Sequence, residues 1–193
     1  LHLRGILQQD EHSLDRYDAS QLIELQHHLG MAWQVSDRLQ QFAQKFKQGY
    51  QQQLPTPKGF QGELRPYQQQ GLGWLQFLRE TQHGGILADD MGLGKTAQTL
   101  AHLLMEKQAG HLQDSPALIV APTSLMHNWF KEAEKFTPEL KVLLLQGPDR
   151  HQYFEQIPQY DIVLTTYPLL ARDEDQLSQY TYHQLNLDEA QNI

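Results

Sequence analysis

Two side chains that suit phosphate chemistry stand together in this chain. Lys95 offers a compact positive charge and Thr96 a hydroxyl, and they close the run Asp89-Asp90-Met91-Gly92-Leu93-Gly94-Lys95-Thr96-Ala97. Gly92 and Gly94 let the backbone curl so that its N–H groups point at phosphate oxygens. A helix beginning near Thr96 adds its positive end. Lys95 is then placed for the β- and γ-phosphates and Thr96 for Mg2+. The general phosphate-loop pattern opens on Gly, and this chain has Asp89 there. The alternative is a Gly-rich helix-entry turn that binds nothing, but Gly-Lys-Thr between a strand and a helix is hard to explain on packing grounds.

A second chemical pair lies far downstream. The run Leu187-Asp188-Glu189-Ala190-Gln191 puts two carboxylates at the end of an apolar stretch. Asp188 suits Mg2+ through its water shell. Glu189 suits the orientation or deprotonation of an attacking water. Alone, Asp-Glu at a strand end reads as a solvated turn; downstream of a phosphate loop it reads as a hydrolytic pair. Asn186 interrupts the apolar strand and must find a partner or lie at an edge.

These groups need a scaffold that brings them together. Apolar runs predict strands at Gly85–Ala88, Ala117–Ala121, Lys141–Leu145, Asp161–Thr165 and Leu185–Asp188. Between them, helices are expected at Pro66–Thr81, Thr96–Lys107 and Ser124–Phe136. Short apolar strands alternating with helices predict an α/β fold, a mainly parallel sheet covered on both faces in three layers. Residues 18–53 read as helical, with Leu22, Leu25, Leu29, Leu39, Phe42 and Phe46 at helical spacing. Leu54-Pro55-Thr56-Pro57-Lys58-Gly59 reads as a linker or extended arm. The expected organisation is therefore a helical flank over 1–58, the tail of an upstream domain, and an ATP-binding lobe over 59–193.

Composition narrows the classes. The 193 residues contain no cysteine, which excludes disulfide scaffolding and thiolate metal sites. No apolar run approaches the roughly 20 residues that span a bilayer, and no leader pattern opens the chain. The net charge of -8 argues against a free-standing basic nucleic-acid binder. Ten histidines invite a metal reading, but His27-His28, His102 and His111 show no ligand spacing, so surface or helix histidines are expected. Asp173-Glu174-Asp175 reads as a solvated loop, and Lys131, Lys135 and Lys141 are offset by Glu132 and Glu134.

Taken in order, the runs Leu64-Arg65-Pro66-Tyr67-Gln68-Gln69-Gln70-Gly71-Leu72-Gly73-Trp74-Leu75, Leu87-Ala88-Asp89 through Thr99, and Asp188-Glu189-Ala190-Gln191 resemble the SWI/SNF-type ATPases of helicase superfamily two, the bacterial branch more nearly. The resemblance covers about residues 59–193. It implies a first RecA-like lobe with ATP and Mg2+ as cofactors. It makes Asp89 the normal opening of the phosphate loop and Gln68 the glutamine that reads the adenine edge. Asp188 and Glu189 match the acidic motif, and Gln191 stands where many relatives carry His. Ala121-Pro122-Thr123-Ser124-Leu125 with Asn128 and Trp129, and Thr165-Thr166-Tyr167, are similar to motifs that line a DNA track. Thr123, Ser124, Asn128 and Thr166 are thereby implied as phosphate contacts, since hydroxyls and amides position a duplex without reading it. For Trp129 and Phe130, core packing is the favoured reading.

The resemblance also implies a further central strand after Gln191, and a second lobe carrying arginine fingers. The residues given are thus expected to bind nucleotide and to turn it over poorly by themselves. The implied activity is an ATP-dependent translocase on double-stranded DNA that remodels protein–DNA or transcription complexes, cytoplasmic and nucleoid-associated, with no membrane partner. Another superfamily-two helicase or restriction-type motor, or a non-hydrolysing nucleotide-binding scaffold, remain as alternatives. A small-molecule kinase lacks support from Gln68 and the Ala121-Pro122-Thr123 region.

Overall fold

A computed structural model describes residues 52–192. The chain divides into two compact units, Leu1–Gln52 and Gln53–Ile193. The helix read over 18–53 falls almost wholly outside the described residues.

Helix α1 spans Pro66–Thr81. Pro66 sits in its first turn, where a missing N–H costs nothing, and the Gln68 side chain accepts from the Arg65 amide at 2.9 Å. Helix α2 spans Lys95–Gln108. Then follow strand β1 (Ala117–Ala121), a short 3-10 turn (Thr123–Leu125), α3 (Met126–Phe136), β2 (Val142–Leu144), a 3-10 stretch over Pro148–Gln159, and β3 (Ile162–Thr166). Helices α4 (Tyr167–Arg172) and α5 (Glu174–Leu177) lead to β4 (Gln184–Leu187) and a final turn, Ala190–Asn192.

The four strands form one parallel sheet in the order β2-β3-β1-β4. Central strands β1 and β3 are buried along their whole length, as their unbroken apolar sequences require. Alternation along β1 sends Ala117, Ile119 and Ala121 into one core with Leu100, Leu103 and Leu104 of α2 and Trp129 of α3. Leu118 and Val120 enter a second core with Leu143, Phe154, Ile157 and Leu177 on the other face. Each fully buried leucine contributes about 1.5–3 kcal/mol relative to exposure. The three-layer α/β expectation therefore holds.

The Leu54–Gly59 segment is an extended arm. The Leu54 amide donates to Gln69 O at 3.2 Å, and Phe60 stacks on Phe136 with centroids 5.4 Å apart. Helix α1 lies close on α2 because Gly71 has no side chain: a Cβ there would stand 1.8 Å from Oε1 of Gln98, which is fully buried.

Two expectations are corrected. Gly85–Ala88 forms no strand; among the described residues no strand pairs with it, and Ile86 is 86% exposed. An apolar run becomes a strand only when a neighbour takes its backbone hydrogen bonds. Here β4 is the sheet edge, with Leu185 57% and Leu187 44% exposed. Asn186 thus lies on an edge strand, accepting from Gln184 Nε2 at 3.2 Å. Asp173, read as part of a solvated loop, is 1% exposed and takes a bidentate ion pair from Arg150, at 2.6 Å (Nε) and 2.7 Å (Nη2).

A buried polar network joins α1, α2 and β4. Gln76 Nε2 donates to His102 Nδ1 at 2.9 Å and to Glu106 Oε1 at 3.0 Å. An amide nitrogen can only donate, so His102 accepts at Nδ1 and donates from Nε2 to Gln184 Oε1 at 2.8 Å. Burial holds the His102 imidazole below its usual value, against the Gln184 hydrogen bond and the Glu106 charge. Burial pushes the Glu106 carboxyl up, but the hydrogen bond from His111, the nearby His102, the Gln76 amide and the Arg79 charge outweigh it, leaving it below the ordinary value.

Candidate functional site

The topology gathers the predicted groups at one edge of the sheet. Helix α2 leads through a short connection into β1, so its N-terminus lies toward the carboxyl end of β1, where ligands bind in open α/β sheets. Thr123 follows that end of β1, Thr166 ends β3, and Asp188 follows β4. The His102–Gln184 contact fixes the level of α2 against β4. From it, six residues of helix up to Thr96 cover about 9 Å and four residues of strand to Asp188 about 13 Å, toward the same edge.

The loop is shaped by its glycines. Gly92 and Gly94 take φ of 83° and 77°, left-handed values that other residues adopt at a cost. Gly94 is constrained twice, because a Cβ there would meet Gln68 Nε2 at 2.5 Å. That amide donates to Leu93 O at 3.1 Å, and the Tyr67 hydroxyl reaches the same carbonyl at 3.3 Å. The start of α1 is thereby tied to the loop, with the Gln68 amide on the Leu93 carbonyl.

Lys95 Nζ donates to Asp89 O at 2.7 Å and Asp90 O at 3.3 Å, folding back on the loop's own carbonyls. Asp89 is tethered through Oδ2 by Gln98 Nε2 at 3.0 Å. Met91 is 87% exposed, and Asp90, Gly92 and Leu93 are also at the surface. Thr96 is half-buried, whereas Ala97 is buried and offers a ligand its backbone only.

The acidic pair is held from three elements. Asp188 donates its amide to Val120 O at 2.9 Å. Its Oδ2 accepts from Trp129 Nε1 of α3 at 2.7 Å, and its carbonyl from the Tyr167 hydroxyl at 2.7 Å. Burial pushes the Tyr167 phenol up, and the charges of Asp188 and Glu189 push it further, so it remains a donor. Glu189 stands at φ 52°, a left-handed conformation for a residue with a side chain. Such strain costs about 1–3 kcal/mol and gathers at functional sites. The Gln191 amide holds its carboxylate at Oε2.

The groups implied for nucleic acid divide. Thr123 and Ser124 are exposed on the turn after β1. Asn128 is exposed, with its amide donated to Glu132 at 2.9 Å. Thr166 is only 3% exposed, so its hydroxyl is not presented to a duplex in this conformation, since β3 is sheathed on both faces. Trp129 packs in the core as expected, but its bond to Asp188 was not legible, nor was that of Tyr167. For Tyr167 the signal was its place directly after Thr165-Thr166; for Trp129 it was the indole's single donor, which needs an acceptor when buried.

Among the described residues, no helix is long and apolar enough to cross a membrane. The SNF2-related domain family matches residues 67–193. The chain is 41% identical over 203 residues to the putative ATP-dependent helicase/translocase YwqA of Bacillus subtilis, covering 100% of this chain and 22% of that protein. It is 36% identical over 148 residues to the ISWI chromatin-remodeling complex ATPase ISW1 of Saccharomyces cerevisiae, covering 72% and 13%. A solved SWI2/SNF2 ATPase core of Sulfolobus solfataricus, in complex with double-stranded DNA, superposes with a TM-score of 0.66 at 38% identity, covering 74% of this chain and 29% of that one. The chain thus spans less than a quarter of the curated relatives it matches. With phosphate loop, acidic pair and parallel sheet in the arrangement just described, the chain belongs to the SNF2-related domain family.

Proposed function

We propose that this chain is the ATP-binding first lobe of a motor that moves on double-stranded DNA and remodels protein–nucleic-acid complexes. What supports the reading is that the glycine-shaped loop opens α2 while the Asp188-Glu189 pair follows β4, so that connectivity directs both toward the carboxyl ends of the parallel strands. The donor chemistry fits Mg-ATP. Loop amides and Lys95 are donating or cationic, Thr96 and Asp188 supply oxygen, and Gly94 puts no Cβ against Gln68.

In this reading Lys95 exchanges the carbonyls of Asp89 and Asp90 for phosphate oxygens. Gln68, already on the loop, meets the adenine edge, where an amide can donate and accept at once. Thr96 and Asp188 would hold Mg2+, which would neutralise phosphate charge. Trp129 keeps Asp188 Oδ2 oriented. Glu189 orients the attacking water and takes its proton. The exposed Thr123, Ser124 and Asn128 contact DNA phosphates. The solved DNA complex and the relatives called helicases support this assignment. Efficient turnover depends on a second lobe that completes the charge stabilisation around the transferred phosphate.

Calorimetric titration of Mg-ATP into the 193-residue chain, beside Lys95→Ala, tests the reading. Binding by the parent chain and at least tenfold weaker binding by the variant is the expected result. Equal binding by both folded proteins, or none by the parent, refutes the assignment of the loop.

A further inference from the structure

We propose that Glu106, His111 and His183 form a site for a borderline divalent transition ion of the zinc class, joining the end of α2 to the start of β4. His111 has no ligand spacing in its own neighbourhood, because its companions are Glu106 of α2 and His183, 72 positions farther on. His111 Nδ1 and His183 Nε2 both lie 2.8 Å from the same oxygen, Glu106 Oε2. The three ligand atoms fall within 4.8 Å of one another. The rings are stacked, with centroids 5.6 Å apart, so both nitrogens approach from one side.

The carboxylate is prepared for ligation. Glu106 is 1% exposed, and its other oxygen is already held, by Gln76 Nε2 at 3.0 Å and with Arg79 Nε at 3.3 Å. Fixing one oxygen aims the other, as outer partners of metal ligands do. Oε2 is left with two imidazole nitrogens. Two nitrogens and one carboxylate oxygen select zinc, cobalt or nickel over calcium or magnesium, which take oxygen ligands. Ligand bonds of about 2.0–2.1 Å in a tetrahedron put ligand atoms about 3.4 Å apart. The 2.8 Å contacts must then open by about half an ångström, which a surface imidazole can do by rotating. His111 is 38% exposed, giving an ion a path in and a water the fourth position.

The site stands at the opposite ends of the elements that carry the nucleotide groups. Helix α2 starts at Lys95 and β4 leads into Asp188. A bound ion would fasten these two elements at their far ends and fix how the phosphate loop stands to the acidic pair.

Titration of Co2+ into the 193-residue chain, read by its visible absorption and by displacement with Zn2+, tests the proposal. The expected result is one equivalent of Co2+ displaced by Zn2+, and a rise in the melting temperature with Zn2+. His111→Gln and His183→Gln keep a donor for Glu106 and should each weaken Co2+ at least tenfold and abolish the melting shift. His111 is partly exposed, so His111→Gln is the variant expected to fold regardless; circular dichroism checks this. Binding equal in the parent and His111→Gln would place the ion on others of the ten histidines and overturn the proposal. No binding by the folded parent chain would overturn it as well.

Discussion

The 2.7 Å bond from Trp129 Nε1 to Asp188 Oδ2 predicts a measurable coupling between helix α3 and the acidic pair. Trp129→Phe keeps most of the packing of a side chain that is 5% exposed and removes the donor. Hydrogen bonds to charged groups contribute about 1.5–3 kcal/mol. Asp188 is half-buried, so water can replace part of the bond, and the coupling should fall to about 1–2 kcal/mol. The smaller ring also leaves unfilled volume, about 1 kcal/mol, but that loss enters both arms of a double-mutant cycle and cancels. The four proteins are the parent, Trp129→Phe, Asp188→Ala and the double variant. Because the chain holds two compact units, the free energy should come from native-state hydrogen exchange at β1 and β3 amides and not from one global melt. A coupling within about 0.5 kcal/mol of zero, the range expected for independent sites, would refute the claim that the indole holds the carboxylate.

Other substitutions probe the same framework. Asp173→Ala leaves the Arg150 guanidinium with the Gly147 carbonyl and water, so the loss should fall below the cost of a fully buried pair, at about 1–3 kcal/mol in urea unfolding of the Gln53–Ile193 unit. Replacing Arg150 by Met and Asp173 by Leu together should cost much less, because no charge is left alone. Gly94→Ala combines the strain of φ 77° with a clash against Gln68 Nε2. It should lower stability by about 1–2 kcal/mol while abolishing Mg-ATP binding in calorimetry.

What the sequence makes legible follows from the range over which each feature is determined. The runs Ala117–Ala121 and Ile162–Thr166 declare themselves because strands buried on both faces carry no polar side chains except at their ends. The loop is legible because its glycines and lysine act on neighbours in sequence. Gly85–Ala88 has the same apolar look as the true strands, yet strand formation depends on a partner that local composition does not encode. The 3-10 stretch Pro148–Gln159 carries no apolar period to announce it, being set by Phe154 and Ile157 entering the second core. The holders of Asp188 come from 59 and 21 positions away, and the histidine on Glu106 from 77. Their neighbouring residues mark Trp129 and Tyr167 as notable but do not say that Asp188 is the partner.

These long-range contacts share one geometrical consequence. Strand β4 is an edge, hydrogen-bonded on one side only among the described residues, and an edge strand has a weakly specified position. Its register is nevertheless fixed at both ends. At the start, Gln184 bonds to His102 and His183 to Glu106, both on α2. At the end, Asp188 is held by Val120, Trp129 and Tyr167. A one-residue slip of β4 would turn Gln184 and Asn186 outward and break the first set together with the second. The side chains that place the acidic pair therefore include buried polar groups of α2, His102 and Glu106, two to three turns along the helix from Lys95. Cutting the His102–Gln184 contact should loosen Asp188 even though every residue at the loop is intact.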